Sequence, residues 1–148
     1  MNGLRILIGY SMRSGSTLLQ HILDQHSGLQ SFSDVSSFGL LAKMAMGWQI
    51  PGNFCLKPMD MLFLGRHIPF SHHFNKFLWI ARDPRDSYLS TMESGYRVFV
   101  WQRGPKEHGI DVGVLTRWKQ IYQHYFRHPD RWHLVRYEDL VRNPAHVI

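Results

Sequence analysis

Residues 4–26 read LRILIGYSMRSGSTLLQHILDQH, and the pattern changes twice along this stretch. The first five residues are mostly apolar without alternation, which is typical of a parallel strand buried on both faces. Gly9 to Gly15 is rich in turn-forming residues, and from Ser16 onward leucine and isoleucine recur at helical intervals. A strand, a Gly/Ser loop and a helix in this order aim backbone N–H groups and the positive end of a helix at one point. The stretch therefore predicts an anion-binding loop.

The side chains of this loop favour phosphate or sulfate as the anion. Ser14, Ser16 and Thr17 supply hydroxyl donors, and Arg13 supplies a planar guanidinium that matches the oxygens of such groups. A nucleoside-triphosphate loop of the form GxxxxGK[ST] needs a lysine after its second glycine, whereas Ser16 follows Gly15 here. The alternative interpretation is a Gly/Ser turn that only starts a helix.

The composition predicts one folded domain with an anionic partner. The chain has 148 residues, of which 44% are hydrophobic and 14% aromatic, and it carries a net charge of +6, so it is long and apolar enough to bury a core. Without a Lys/Arg block or a nucleic-acid-binding module, a small anionic ligand is favoured over nucleic acid. The single cysteine excludes an intrachain disulfide, and no apolar run approaches a membrane span. With no apparent signal peptide either, we expect a cytoplasmic protein.

Strands and helices alternate along the rest of the chain. Further strands are predicted at 29–32, 54–56, 77–81 and 133–137, and helices at 36–47, 60–68, 84–98 and 112–128. This alternation predicts an α/β fold with an open, mainly parallel sheet flanked by helices. Ligands of such sheets bind at the carboxyl ends of the strands. Because Arg13, Asp34, Lys57 and Arg82 each follow a predicted strand, we expect them to converge.

Residues 82–90, RDPRDSYLS, predict a second anion site. Arg82 follows a strand directly, and Ser90 lies about two turns into the next helix, whose start is marked by Asp83 as N-cap and Pro84 at the first position. A guanidinium on one side and a hydroxyl on the other can bracket an anion. The alternative is an ordinary capped helix with Arg82 in a surface ion pair.

These motifs together resemble the sulfotransferase family, with a layout closest to its tyrosylprotein and carbohydrate types. Residues 12–19, MRSGSTLL, are similar to the family's 5′-phosphosulfate loop, with Met12 where proline is usual. Residues 82–90 resemble its 3′-phosphate segment, in which the first arginine and the last serine hold that phosphate. Residues 71–86 resemble the lead-in to that segment, and residues 135–144, VRYEDLVRNP, resemble a later strand-to-helix segment.

The resemblance implies a fold like that of P-loop NTPases and transfer of a sulfuryl group from 3′-phosphoadenosine 5′-phosphosulfate (PAPS) to an acceptor hydroxyl, without a metal. It implies that the nucleotide is held by Arg13, Ser14, Gly15, Ser16, Thr17, Leu18, Arg82 and Ser90. Sulfuryl transfer, like phosphoryl transfer, is an in-line displacement with charge building on the leaving oxygen. Arg13 and Lys57 are expected to neutralise that charge. Asp34, 21 residues after Arg13, stands where related enzymes have a catalytic glutamate, and His26 is the second candidate for the base.

The acceptor stays open among a glycan, a tyrosine, a lipid and a small alcohol or phenol, and Trp48, Tyr96 and Trp101 are candidates to line its pocket. Two other functions also stay open. One is a small P-loop kinase, which the missing lysine argues against, and the other is an inactive nucleotide-binding module. The family's further C-terminal helices and basic loop are not found before Ile148, so we expect a single domain, residues 1–148, that lacks the usual C-terminal part. An apolar face left exposed in this way would favour self-association.

Overall fold

The computed structural model describes residues 3–94 and 106–147. The strands are β1 (Arg5–Tyr10), β2 (Gln30–Ser33), β3 (Phe54–Lys57), β4 (Lys76–Ala81), β5 (Lys106–Glu107), β6 (Ile110–Asp111) and β7 (His133–Arg136). The helices are α1 (Ser16–Asp24), α2 (Asp34–Ala45), α3 (Pro84–Glu93), α4 (Val112–Arg127) and α5 (Tyr137–Arg142). Short 3₁₀ turns cover Asp60–Phe63, Ser71–His73, Pro129–Arg131 and Pro144–His146.

Five strands form a parallel sheet in the order β2-β3-β1-β4-β7. β1 is central and buried along its whole length, and the chain forms β3 on one side of it and β4 on the other. This change of side is a topological switch point, where sheets of this class bind their ligands at the carboxyl edge. β5 and β6 pair separately as a short antiparallel ribbon. The predicted α/β fold with an open parallel sheet flanked by helices is confirmed, and it places the loop after β1 at the switch point.

An aromatic cluster around Trp79 of β4 joins the sheet to α4. Trp79 is fully buried, and its ring meets those of Phe63, Tyr122 and Trp132 edge-on, with centroids 5.9, 5.4 and 5.0 Å away. Edge-to-face packing of this kind adds to the free energy gained by burial alone. A Cβ on Gly9 would lie 2.4 Å from the Trp79 ring, so glycine is required at that position of β1.

Several predicted boundaries were wrong. β1 continues through Gly9 to Tyr10, because the small glycine fits against the neighbouring strand rather than starting a turn. The helix predicted for residues 60–68 is a 3₁₀ turn over Asp60–Phe63, and Gly65 inside that stretch disfavours a longer helix.

Two other elements have predicted ends that differ from the structure or lie outside the described residues. Tyr137, predicted as the last residue of a strand, is the first residue of α5. The helix predicted over residues 84–98 corresponds to α3, Pro84–Glu93. Residues 95–98 of that prediction lie outside the described residues. Within residues 3–94 and 106–147, no helix combines the length and the apolar content that a membrane span requires.

Candidate active site

The loop after β1 has the backbone geometry of an anion cradle. Arg13 and Gly15 both adopt left-handed conformations, with φ of 58° and 91°. The buried Ser14 hydroxyl donates to the Ser11 carbonyl at 2.7 Å and so braces the loop from within. The first bond of helix α1 runs from the Leu19 N–H to the Gly15 carbonyl, so the N–H groups of residues 16–18 precede it and have no partner inside the helix. These groups are available to an anion.

The segment that begins α5 packs against this loop. A Cβ on Gly15 would lie 2.2 Å from the Tyr137 ring, so the loop and the tyrosine touch where the glycine lacks a side chain. The Arg82 guanidinium stacks over the same ring, 4.6 Å from its centroid. The Glu138 carboxylate accepts a hydrogen bond of 2.9 Å from the backbone N–H of Asp83. Tyr137 and Glu138 therefore support both anion motifs, whereas sequence analysis assigned this segment only a resemblance to the family and no role.

We expect Gly15→Ala to lower the free energy of unfolding by about 1–3 kcal/mol, because alanine adds both a strained left-handed backbone and overpacking against Tyr137. Urea unfolding measures the change. Gly47→Ala is the matched control, since Gly47 is also left-handed at φ 77° but a Cβ there meets none of the described residues within 4 Å. Equal losses in the two variants would contradict the proposed contact between Gly15 and Tyr137.

Helix α3 starts as predicted, with Asp83 as N-cap and Pro84 at the first position. Asp83 caps this helix, because its side chain accepts a hydrogen bond of 2.9 Å from the backbone N–H of Arg85. Hydrogen bonds from Arg85 also lower the pKa of Asp83 to about 2. Among the residues that the structure describes, Arg82 forms no ion pair with a carboxylate, and its buried Nε has no hydrogen-bond partner. The Arg82 guanidinium thus keeps donor capacity for an anion.

Arg13 joins the two motifs. Its Nε donates to the Ser90 Oγ at 2.9 Å, and its backbone carbonyl accepts from Nη1 of Arg82 at 3.3 Å and from the Ser87 hydroxyl at 3.5 Å. Sequence analysis expected Arg13 at the first anion loop and Ser90 at the second. The structure brings the Arg13 side chain onto Ser90, so the two expected anion sites are parts of one basic cleft.

Lys57 and Asp34 meet at the carboxyl ends of β3 and β2. The Lys57 side chain is 3% exposed and that of Asp34 is 52% exposed, and Nζ lies 3.0 and 2.9 Å from the two carboxylate oxygens. The register of β2 and β3 places Ser33 opposite Lys57, which sets this pairing. The Tyr10 ring flanks the ammonium, with its centroid 5.2 Å from Nζ. Asp34 begins α2 in a left-handed conformation, φ 44°, which is uncommon outside glycine and often marks functional sites.

The chain after Lys57 is held by contacts that sequence analysis missed. The Tyr10 hydroxyl donates to the Pro58 carbonyl at 2.8 Å. Arg117 of α4 donates through Nη2 to Oδ1 of Asp60 at 2.6 Å, and both side chains are 8% exposed. Burial raises the pKa of Asp60, while the guanidinium of Arg117 opposes the rise. No short-range pattern marks such a pair, because its members are 57 residues apart.

Other candidates from the sequence lie elsewhere. His26 precedes β2, whose first residues pair with the start of β3, so it lies at the opposite edge of the sheet from Lys57. Trp48 is exposed beyond the far end of α2 from Asp34 and does not line the cleft. Tyr96 and Trp101 lie outside the described residues. In residues 3–94 and 106–147, no three His, Cys, Asp or Glu side chains come together as a metal site.

The second half of the chain matches a known family. The model of the Sulfotransferase family matches residues 74–148, just over half of the chain. The match includes Arg82, Ser90 and Tyr137. No curated protein matches the chain. On its fold and on this match, the chain belongs to the sulfotransferase family.

Proposed function

We propose that this protein transfers a sulfuryl group from PAPS to the hydroxyl of an acceptor. The observation that carries the proposal is the single basic cleft in which Arg13 connects the first loop to Ser90 and Arg82. A ligand with phosphates at both ends of a nucleoside fits such a cleft better than one with a single phosphate. Two other observations support PAPS as the ligand: the family match, and the absence after Gly15 of the lysine that nucleoside-triphosphate loops carry there.

The 5′ end of the donor is assigned to the first loop. The N–H groups of residues 16–18, together with the hydroxyls of Ser16 and Thr17, donate to its oxygens. Ser14 contributes differently, because its hydroxyl is already used within the loop, where it fixes the curvature. Gly15 allows the close approach that a side chain would block.

The 3′-phosphate is assigned to Arg82 and Ser90. Arg82 is stacked over the Tyr137 ring, and its buried Nε has no partner among the described residues, so an anion there would satisfy this donor. Ser90 Oγ accepts a hydrogen bond of 2.9 Å from Nε of Arg13, so its own O–H can still donate. A phosphate beside this pair would accept from the Ser90 hydroxyl and from the guanidinium of Arg82.

The chemistry is assigned to Lys57 and Asp34. PAPS supplies the sulfuryl group and leaves as the bisphosphate. The buried ammonium of Lys57 is placed to neutralise the charge that builds on the leaving oxygen. The half-exposed carboxylate of Asp34 accepts the proton of the acceptor hydroxyl. Their direct pairing keeps both groups at the same point of the cleft until donor and acceptor separate them.

Calorimetric titration with 3′-phosphoadenosine 5′-phosphate, compared with ATP plus magnesium, tests the proposal. We expect the bisphosphate to bind in preference, and Arg82→Ala to weaken its binding about tenfold to hundredfold, since a charge-assisted contact contributes about 1.5–3 kcal/mol. Arg85→Ala is the matched control, because Arg85 lies in the same motif but points to solvent with 85% of its side chain exposed. We expect its affinity to be unchanged.

Two results would contradict the proposal. Preference for ATP with magnesium would support the kinase alternative instead. Tight binding of the bisphosphate without sulfate transfer to any of a panel of phenols, alcohols, sugars and tyrosine peptides would support the inactive nucleotide-binding module.

A further inference from the structure

The two halves of the basic cleft are attached to adjacent strands. Ser11 follows β1 and belongs to the first loop, while Arg82 follows β4 and belongs to the second motif. β1 and β4 are paired with Tyr10 opposite Ile80, so Ser11 and Arg82 leave the sheet at nearly the same level. The distance between the phosphate sites therefore depends on how rigidly these two strand ends are held together.

Tyr122 of α4 packs against this junction. It is 6% exposed, and its ring lies edge-on to that of Trp79, 5.4 Å between centroids. Burial raises the pKa of Tyr122, and contacts from Ser11, Trp79 and the backbone of Arg82 act on the phenol in the opposite direction. Its hydroxyl is therefore close to both strand ends.

Two buried donors lie beside this hydroxyl, and neither is paired with another of the described residues. Ser11 Oγ and Trp79 Nε1 are buried, and within the part of the chain that the structure describes neither closes a hydrogen bond of good geometry. Both approach the Tyr122 hydroxyl. A buried polar group that stays unpaired is costly, and a group of them packed together favours a single arrangement in which they satisfy one another.

We propose that Tyr122 is a positioning residue, which holds the first anion loop at Ser11 and the second motif at Arg82 at the separation that a nucleoside 3′,5′-bisphosphate requires. This inference rests on the proposed nucleotide donor. A ligand with two phosphates gains from a cleft in which both sites are already correctly spaced, because binding then spends less free energy on ordering the protein. A ligand with one phosphate gains nothing from that spacing.

The test compares three ligands by calorimetry: 3′-phosphoadenosine 5′-phosphate, adenosine 5′-phosphate and adenosine 3′-phosphate. We expect Tyr122→Phe to weaken the bisphosphate about tenfold, as the loss of one buried hydrogen-bonding group would. The affinities for the two monophosphates should change less than about twofold, because neither spans the junction. A role confined to stability would not produce this selectivity.

Tyr125→Phe is the matched control, since it removes a phenol oxygen from the same helix and its ring also lies beside Trp79, at 6.0 Å. We expect no change for any ligand. Ser11→Ala tests the same contact from the other side and carries the test if Tyr122→Phe does not fold. We expect the same selective loss from it, and little further loss when the two substitutions are combined.

The outcomes separate this inference from the proposed function. Failure of the unmodified protein to bind the bisphosphate would overturn both. Normal binding by the unmodified protein, with all three ligands weakened equally or none weakened in the variants, would overturn the positioning role of Tyr122 alone.

Discussion

Arg117→Met should lower the free energy of unfolding by about 3–5 kcal/mol, because it leaves a buried carboxylate without its partner. Arg117 and Asp60 are both 8% exposed and share a hydrogen bond of 2.6 Å. Oδ2 of Asp60 has no hydrogen-bond partner among the described residues, and the guanidinium of Arg117 is the group that most strongly offsets the burial of this carboxylate. Methionine keeps the apolar stem and removes the charge, and urea unfolding measures the difference.

Two further variants separate charge from packing. Arg136→Met breaks an exposed pair, in which Arg136 and Asp139 are 3.9 Å apart with 65% and 49% of their side chains exposed, and it should cost less than about 1 kcal/mol. Combining Arg117→Met with Asp60→Leu should recover most of the lost stability, since a buried ion pair is often replaceable by apolar residues. If Arg117→Met were no more harmful than Arg136→Met, the buried pair would not be a major source of stability.

The deficit of Arg117→Met should also depend on pH. Burial raises the pKa of Asp60, and removing the opposing guanidinium raises it further. The folded state then holds a proton more tightly than the unfolded state, so the free energy of unfolding falls as pH rises from the unfolded pKa towards the folded one. The variant should therefore be least stable relative to the parent at neutral pH and closest to it near about pH 4, where the carboxyl group is protonated.

The parts of the fold that sequence analysis predicted are those encoded over short distances. The apolar run of β1 and the Gly/Ser loop after it lie within a dozen residues of each other, and the start of α3 is marked by an aspartate and a proline in succession. The structure confirms the parallel sheet that these patterns predict. Boundaries were less accurate where one residue decides them, as with Gly9, whose place in β1 depends on the Trp79 ring of another strand.

The unpredicted parts of the site depend on contacts between distant residues. Arg13 and Ser90 are 77 residues apart, and the direction of the arginine side chain cannot be inferred from the loop motif. Lys57 and Asp34 were each expected at a strand end, but their contact also requires β2 to lie beside β3, which only the strand order reveals. Tyr122 fits a helical apolar spacing, so its hydroxyl gave no signal of a polar role.

Lys57→Met should reduce turnover about 10²–10³-fold, because it removes a buried cation aimed at the point where charge develops in the proposed reaction. Slow release of 3′-phosphoadenosine 5′-phosphate from PAPS, with water as acceptor, provides a rate that does not depend on knowing the natural acceptor. Affinity for the bisphosphate should change less than about threefold, since the interaction is stronger in the transition state than in the ground state. Lys76→Met is the control, because Lys76 is an exposed lysine at the first residue of β4, at the end of that strand away from Arg82.

Because Lys57 pairs with Asp34, the effect of Lys57→Met has to be interpreted together with that of Asp34→Asn. Lys57→Met also frees the Asp34 carboxylate, which accepts both hydrogen bonds from the ammonium. If the two groups act at one reacting centre, Asp34→Asn should slow turnover too, and the double variant should lose less than the product of the two single losses. Unchanged turnover in Lys57→Met would remove Lys57 from the chemistry. Independent, multiplying losses would mean that the contact between the two side chains does not couple them during turnover.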